Sequence, residues 1–208
     1  MAHQPTSDSF SAGRPARSAG GRRHGLVHTG AAAALMASWV ALLWLLEVID
    51  TFRDHRLDGY GIVPRQVGEL GDVVPAAFIH FGYDHLAANT VPLFVLGFLA
   101  AARGITRFFG VAALIIVVSG VGVWLVAPDN TNTAGASGLI FGLFGYLLMR
   151  GFVERKLLDI LVGAGVALLY GSILWGVLPT DSEVSWQGHL FGLLGGVLAA
   201  FVLRSKRR

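Results

Sequence analysis

Cysteine is absent from this 208-residue chain. That removes thiol catalysis, thiolate metal sites and any disulfide framework. Charge is almost as scarce. Asp, Glu, Lys and Arg together make up 14% of the residues, against roughly 25% in soluble domains. With 54% hydrophobic residues, such a chain is not a disordered polymer, and the mean hydropathy of +0.62 reflects apolar blocks, not a scatter. A block of about 20 apolar residues spans a bilayer. Six such blocks are predicted, over residues 31–48, 84–102, 104–127, 137–152, 157–178 and 186–203. They use up most of the chain and leave no room for a soluble domain. The expected fold class is all-α: a polytopic membrane protein built as a six-transmembrane-helix bundle.

Residues 1–28 are rich in Ser, Ala, Gly and Arg and contain Pro5 and Pro15. With almost nothing apolar to bury, they are expected to form a disordered basic tail. Residues 29–204 are the expected membrane domain, and residues 205–208 a short basic C-terminus. The tail's arginines also fit the n-region of a signal peptide. The apolar run after them is long for a signal sequence, however, and no small-x-small cleavage site follows it. A first membrane helix is the preferred reading. The fourth block is short, as expected of a helix that starts below the membrane surface inside a bundle. Residues 49–83 are mixed in polarity and Gly-rich, and residues 73–79 are expected to dip into the interface.

Charge then orients the chain. Six crossings put both termini and the turns at 102–107 and 150–156 on one side. That side carries 13 of the 16 Lys and Arg residues, the exceptions being Arg53, Arg56 and Arg65. The positive-inside rule places it in the cytoplasm. The pI near 9.7 is thereby explained by topology, without nucleic-acid binding.

Polar residues within apolar blocks are costly, so each calls for a functional hypothesis. His80, His85 and Asn89 open the second block, and His85 and Asn89 share a helix face. Gly135-Ala136-Ser137-Gly138 opens the fourth. Taken alone, Ser137 reads as a packing residue or as an N-cap sooner than as a reacting group. Gly188-His189 opens the sixth, followed by Gly192 and Gly196. The fourth block has a matching pair, Gly138 and Gly142, and small residues at this spacing let helix backbones meet. If the two rows pack together, Ser137 and His189 come near each other. By the six-span topology, His85, Asn89, Ser137 and His189 all lie near the outer face.

These residue types suit acyl transfer. A serine hydroxyl needs a base to take its proton, and a neutral histidine is the usual one. The oxyanion formed on attack needs pre-aimed donors. His85, Asn89 and the Ser137 backbone N–H at a helix start are available. An orienting carboxylate is less evident, with only Asp181 and Glu183 before the sixth block, so a Ser–His dyad is expected.

The three motifs, in this order and on these helices, resemble the rhomboid intramembrane serine proteases. The resemblance covers residues 30–204. It implies Ser137 as nucleophile and His189 as general base, with His85, Asn89 and Ser137 forming the oxyanion hole. It makes His80 a supporting polar residue near the active-site mouth, with Gly135, Gly138, Phe141 and Gly192 as further supporting positions. It implies hydrolysis of transmembrane protein substrates near the outer membrane boundary, without metal or cofactor. Its partners would be those substrates and membrane lipid, and the charge bias suits a bacterial inner membrane. Three positions depart from the pattern. Gly71-Asp72 stands where relatives often carry Trp-Arg, Phe141 replaces a tyrosine, and Gly188 replaces an alanine. No reacting group is lost.

Two further classes remain in view. A non-catalytic protein of the same shape would bind and escort membrane clients, and would survive loss of Ser137. A transporter would place its polar residues near the midplane, in repeats, and none is found here. A haem or metal protein has little support. His3, His24 and His28 are in or beside the tail, and His55 is in a loop.

Overall fold

In the computed structural model, residues 20–179 and 184–204 are described, with side chains from residue 29 onward. Six α-helices carry the fold: α1 (Gly20–Phe52), α2 (Tyr83–Ala101), α3 (Ile105–Val126), α4 (Ser137–Glu154), α5 (Leu157–Tyr170) and α6 (Trp186–Val202). Among the described residues there is no β-strand, only one isolated antiparallel bridge between Ile62 and Thr133. Five spans are long and apolar enough to cross a membrane, and α6 is apolar but shorter. The protein is a multi-pass helical membrane protein.

Three segments differ from the sequence expectation. α1 begins at Gly20, inside the segment 1–28 read as a tail. No proline lies between Pro15 and Pro64, so nothing interrupts the hydrogen-bond ladder of the first apolar block. The fifth block does not stay α-helical to residue 178. It tightens at Gly171 into a 3₁₀ helix, Gly171–Val177. Gly171 and Gly176 weaken the α-helical preference there, and the tighter winding aims the Gly176 carbonyl inward. The segment after α1 forms three 3₁₀ helices: Arg56–Tyr60, Val67–Val73 and Pro75–Phe78. Val73, Ala76 and Ile79 are buried there, so this stretch packs into the protein rather than only touching the interface.

The hydrophobic pattern explains the layering. α4 is glycine-rich and apolar over most of its length, and 67% of its membrane window is buried, against 17% for α5. It is therefore the central helix, in contact with α2, α3, α5 and α6. Its pairing with α6 is made by the two glycine rows. A Cβ on Gly192 would overlap the Gly138 carbonyl, and one on Gly196 the Gly142 carbonyl. A Cβ on Gly142 would sit 2.8 Å from Gly192 O, and one on Gly145 2.8 Å from Leu193 O. Only glycine permits this approach, so the expected meeting of the rows is what the structure contains.

At the end of the bundle away from Ser137, the charges pair. Asp159 is 3% exposed and lies 2.8 Å from Arg103 Nη2 and 3.6 Å from Arg150 Nε. Glu154 pairs with Arg107 and Lys156. Arg150 also donates to the Tyr146 hydroxyl at 3.0 Å. The sequence reading gave no role to this cluster.

Candidate active site

The loop before α4 is held from three directions. Gly135 N–H donates to the Ala76 carbonyl at 2.8 Å. Ala136 N–H donates to His80 Nε2 at 3.2 Å. Gly135 has φ +129°, a conformation that disfavours any side chain, and a Cβ there would lie 2.7 Å from His85 Cε1. The His85 ring thus rests on the Gly135 backbone, edge-on to His80 with centroids 5.1 Å apart. The chain leaves this clamp directly into α4, whose first turn no side chain caps. Its leading N–H groups and the positive end of the helix dipole are left to face a ligand.

His189 is fixed just as closely. Its ring stacks on Phe141 with centroids 3.9 Å apart and planes 8° apart. Nδ1 lies 2.8 Å from the Gly176 carbonyl. A carbonyl only accepts, so Nδ1 carries the proton and Nε2 keeps a basic lone pair. Ser185 caps α6 by accepting from Gly188 N–H at 3.2 Å, and Ser119 Oγ donates to the Gly188 carbonyl at 2.8 Å. The backbone on the N-terminal side of His189 is therefore pinned from α3 as well.

Ser137, His189, His85, Asn89 and Phe141 all line one cavity of about 1270 Å³. Gln187, 6% exposed, joins them on its wall. Asn89 is 7% exposed and donates one amide hydrogen to the His85 carbonyl at 3.0 Å, leaving the other for a ligand. Pro92 lies one turn further along α2. It lacks an N–H, so the Ala88 carbonyl loses its helical partner, and both residues line the cavity. Gly138 and Gly192 lie at the α4–α6 contact. A second cavity of about 30 Å³, lined by Ser119, Ser137, Gly138 and Gly188 among others, adjoins the serine. It has the size for one water molecule.

Among the sequence candidates, His80 stands apart. It is 1% exposed and supports the 135–137 loop from beneath. Burial, with His85 as the second cause, pushes its pKa down to about 4. It is therefore neutral and able to accept from Ala136 at physiological pH. An unfolded histidine takes up its proton near 6.5. As pH falls from there towards about 4, the unfolded state binds a proton that the folded state lacks, and stability drops. The thermal midpoint should fall over this window, by up to about 3 kcal/mol of stability. His80→Gln should flatten that part of the profile.

Asp181 and Glu183, considered as orienting carboxylates, lie outside the described residues. The group that orients His189 is the Gly176 carbonyl. A backbone carbonyl on a 3₁₀ turn has no side-chain signal in the sequence. Ser119 had a weak one, as a lone hydroxyl beside Gly120 in an apolar run.

Residues 67–206 match the family model of the Rhomboid domain. The Mycobacterium tuberculosis protein Rv1337 is 43% identical over 179 residues, covering 82% of this chain and 75% of that protein. Rhomboid-like protein 11 of Arabidopsis thaliana chloroplasts is 32% identical over 149 residues, covering 62% of this chain and 51% of its own. The Bacillus subtilis rhomboid protease GluP is 29% identical over 142 residues, covering 65% of this chain and 26% of that protein. The match takes in α2 to α6, and with them every helix that lines the cavity, so the chain belongs to the rhomboid family.

Proposed function

We propose that this protein is an intramembrane serine endopeptidase that cleaves transmembrane protein substrates near the outer membrane boundary. The observation that carries the reading is the state of His189. Its Nδ1 proton is committed to Gly176 and its ring to Phe141, while it shares a cavity with Ser137. A histidine held in that tautomer is a base waiting for a hydroxyl proton.

In the proposed reaction, Ser137 Oγ attacks the substrate carbonyl and His189 Nε2 takes its proton. The Ser137 backbone N–H, the free amide hydrogen of Asn89 and the His85 ring N–H stabilise the oxyanion. His189 then gives its proton to the leaving amine. Water, activated by the same Nε2, hydrolyses the acyl-enzyme. No metal or cofactor takes part.

The test is labelling of the purified protein with a fluorescent fluorophosphonate, beside cleavage of a model transmembrane substrate. Wild type should label and cleave, and Ser137→Ala and His189→Ala should do neither. A folded wild type that neither labels nor cleaves would sink the reading and favour a client-binding role.

The charge distribution supports both termini in the cytoplasm of a bacterial cell. A reporter active only in the cytoplasm should function when fused after Arg208. Activity only of a periplasmic reporter would reverse the orientation, and with it the side on which substrates are cut.

A further inference from the structure

At the end of α1 nearest the active-site loops, acidic groups gather with no Lys or Arg partner among the described residues. Glu47 and Asp50, three residues apart on one helix face, are 2% and 1% exposed. Asp50 Oδ1 accepts the Leu57 N–H at 2.6 Å. Its Oδ2 lies 3.3 Å from His55 Nδ1, which lies 3.9 Å from Asp58 Oδ2. One ligand atom from each of Asp50, His55 and Asp58 lies within 4.8 Å of the others. Two donors bound tetrahedrally to a metal at 2.1 Å stand about 3.4 Å apart, so these gaps need little closure.

A second observation points into the same space. Glu47 Oε1 is buried and has no hydrogen-bond partner among the described residues. A backbone hydrogen bond from Gly82 holds the carboxylate, which also feels the charges of Asp50, Asp58 and His55. Asp58 Oδ1 is also buried and unpartnered. Among the described residues, no Lys or Arg pairs with any of the three carboxylates. Like charges gathered at the edge of a membrane, two of them buried, are unfavourable unless something offsets them.

We propose that Asp50, His55 and Asp58, with Glu47 buried beside them, form a binding site for a divalent transition-metal cation, Zn²⁺ or Mn²⁺. The donor set selects the class. Two carboxylates and one imidazole, with a third carboxylate beside them, suit these ions, whereas Ca²⁺ and Mg²⁺ take oxygen ligands throughout. The site is separate from the catalytic cavity but tied to it. The Asp58 carbonyl accepts from Asn132 Nδ2 at 2.8 Å. Ile62 and Thr133 exchange two backbone hydrogen bonds of 2.8 and 3.1 Å. A cation joining Asp58 to α1 therefore braces the loop that leads into Gly135 and Ser137. This is a positioning role and takes no part in the chemistry.

The test uses the full-length, untagged protein in detergent, stripped with a chelator and titrated calorimetrically with ZnCl₂ and with MnCl₂. His55→Ala and Asp58→Asn run beside it, both at positions with solvent access. The expected result is one saturable equivalent in the wild type, with affinity at least about tenfold weaker in each variant. The wild type alone should rise in thermal midpoint on adding the metal. Absence of a saturable equivalent in the wild type would overturn the proposal. So would unchanged affinity in both variants, which would place the ion on other histidines.

Discussion

Ser137→Ala and His189→Ala should each lower the cleavage rate by about 10⁶-fold, and the double variant should fall no further. Nucleophile and base act as one unit, so removing either removes the covalent route. Additive losses would mean that the two residues work independently, and would break the proposed dyad. Asn89→Ala should behave differently. It removes one donor of several, and the loss of one oxyanion donor lowers kcat by about 10²–10³-fold. Its effect should appear in kcat rather than KM, because the interaction strengthens only as the oxyanion forms. An unchanged kcat would take Asn89 out of the oxyanion hole.

Gly192→Ala and Gly196→Ala should each destabilise the protein by roughly 3 kcal/mol, the upper range for overpacking. In both, the new methyl group meets a backbone carbonyl of α4, Gly138 or Gly142. A carbonyl within a helix cannot rotate away as a side chain can. The helices must part, and the loss of Ser137–His189 alignment should abolish cleavage as well. Gly165→Ala on α5 is the control, since a Cβ there meets nothing within 4 Å. It should be neutral or stabilising by up to about 1 kcal/mol. Thermal unfolding of the three variants in one detergent would compare them directly. Equal midpoints would refute the close-packed account of α4 and α6.

Much of this was legible from residue order alone. α2, α3, α4 and α6 lie within a few residues of their expected bounds, because each is a long apolar run closed by Gly, Pro or charge. The meeting of Ser137 and His189 at one cavity was implied by the two glycine rows, since a four-residue spacing of small side chains defines one helix face. What could not be read depends on backbone and on distance in the chain. The Gly176 carbonyl orients His189 only because residues 171–177 wind more tightly than an α-helix. His80 supports the 135–137 loop through a contact between residues 56 positions apart. The sequence assigned no role to Glu47 and Asp50, because nothing in the local pattern shows what the first loop folds over.

Among the described residues, the ion pairs that join helices to one another lie at the end that carries Arg103, Glu154 and Asp159. Arg150, in that cluster, is about 20 Å along α4 from Ser137. The end that carries Ser137 is held mainly by close backbone contact and neutral hydrogen bonds, with one loop-to-loop ion pair between Arg65 and Asp129. Folding and chemistry therefore draw on different residues of the same helices. A single methyl group added to α4 or α6 is therefore expected to end the proposed activity without touching a reacting atom.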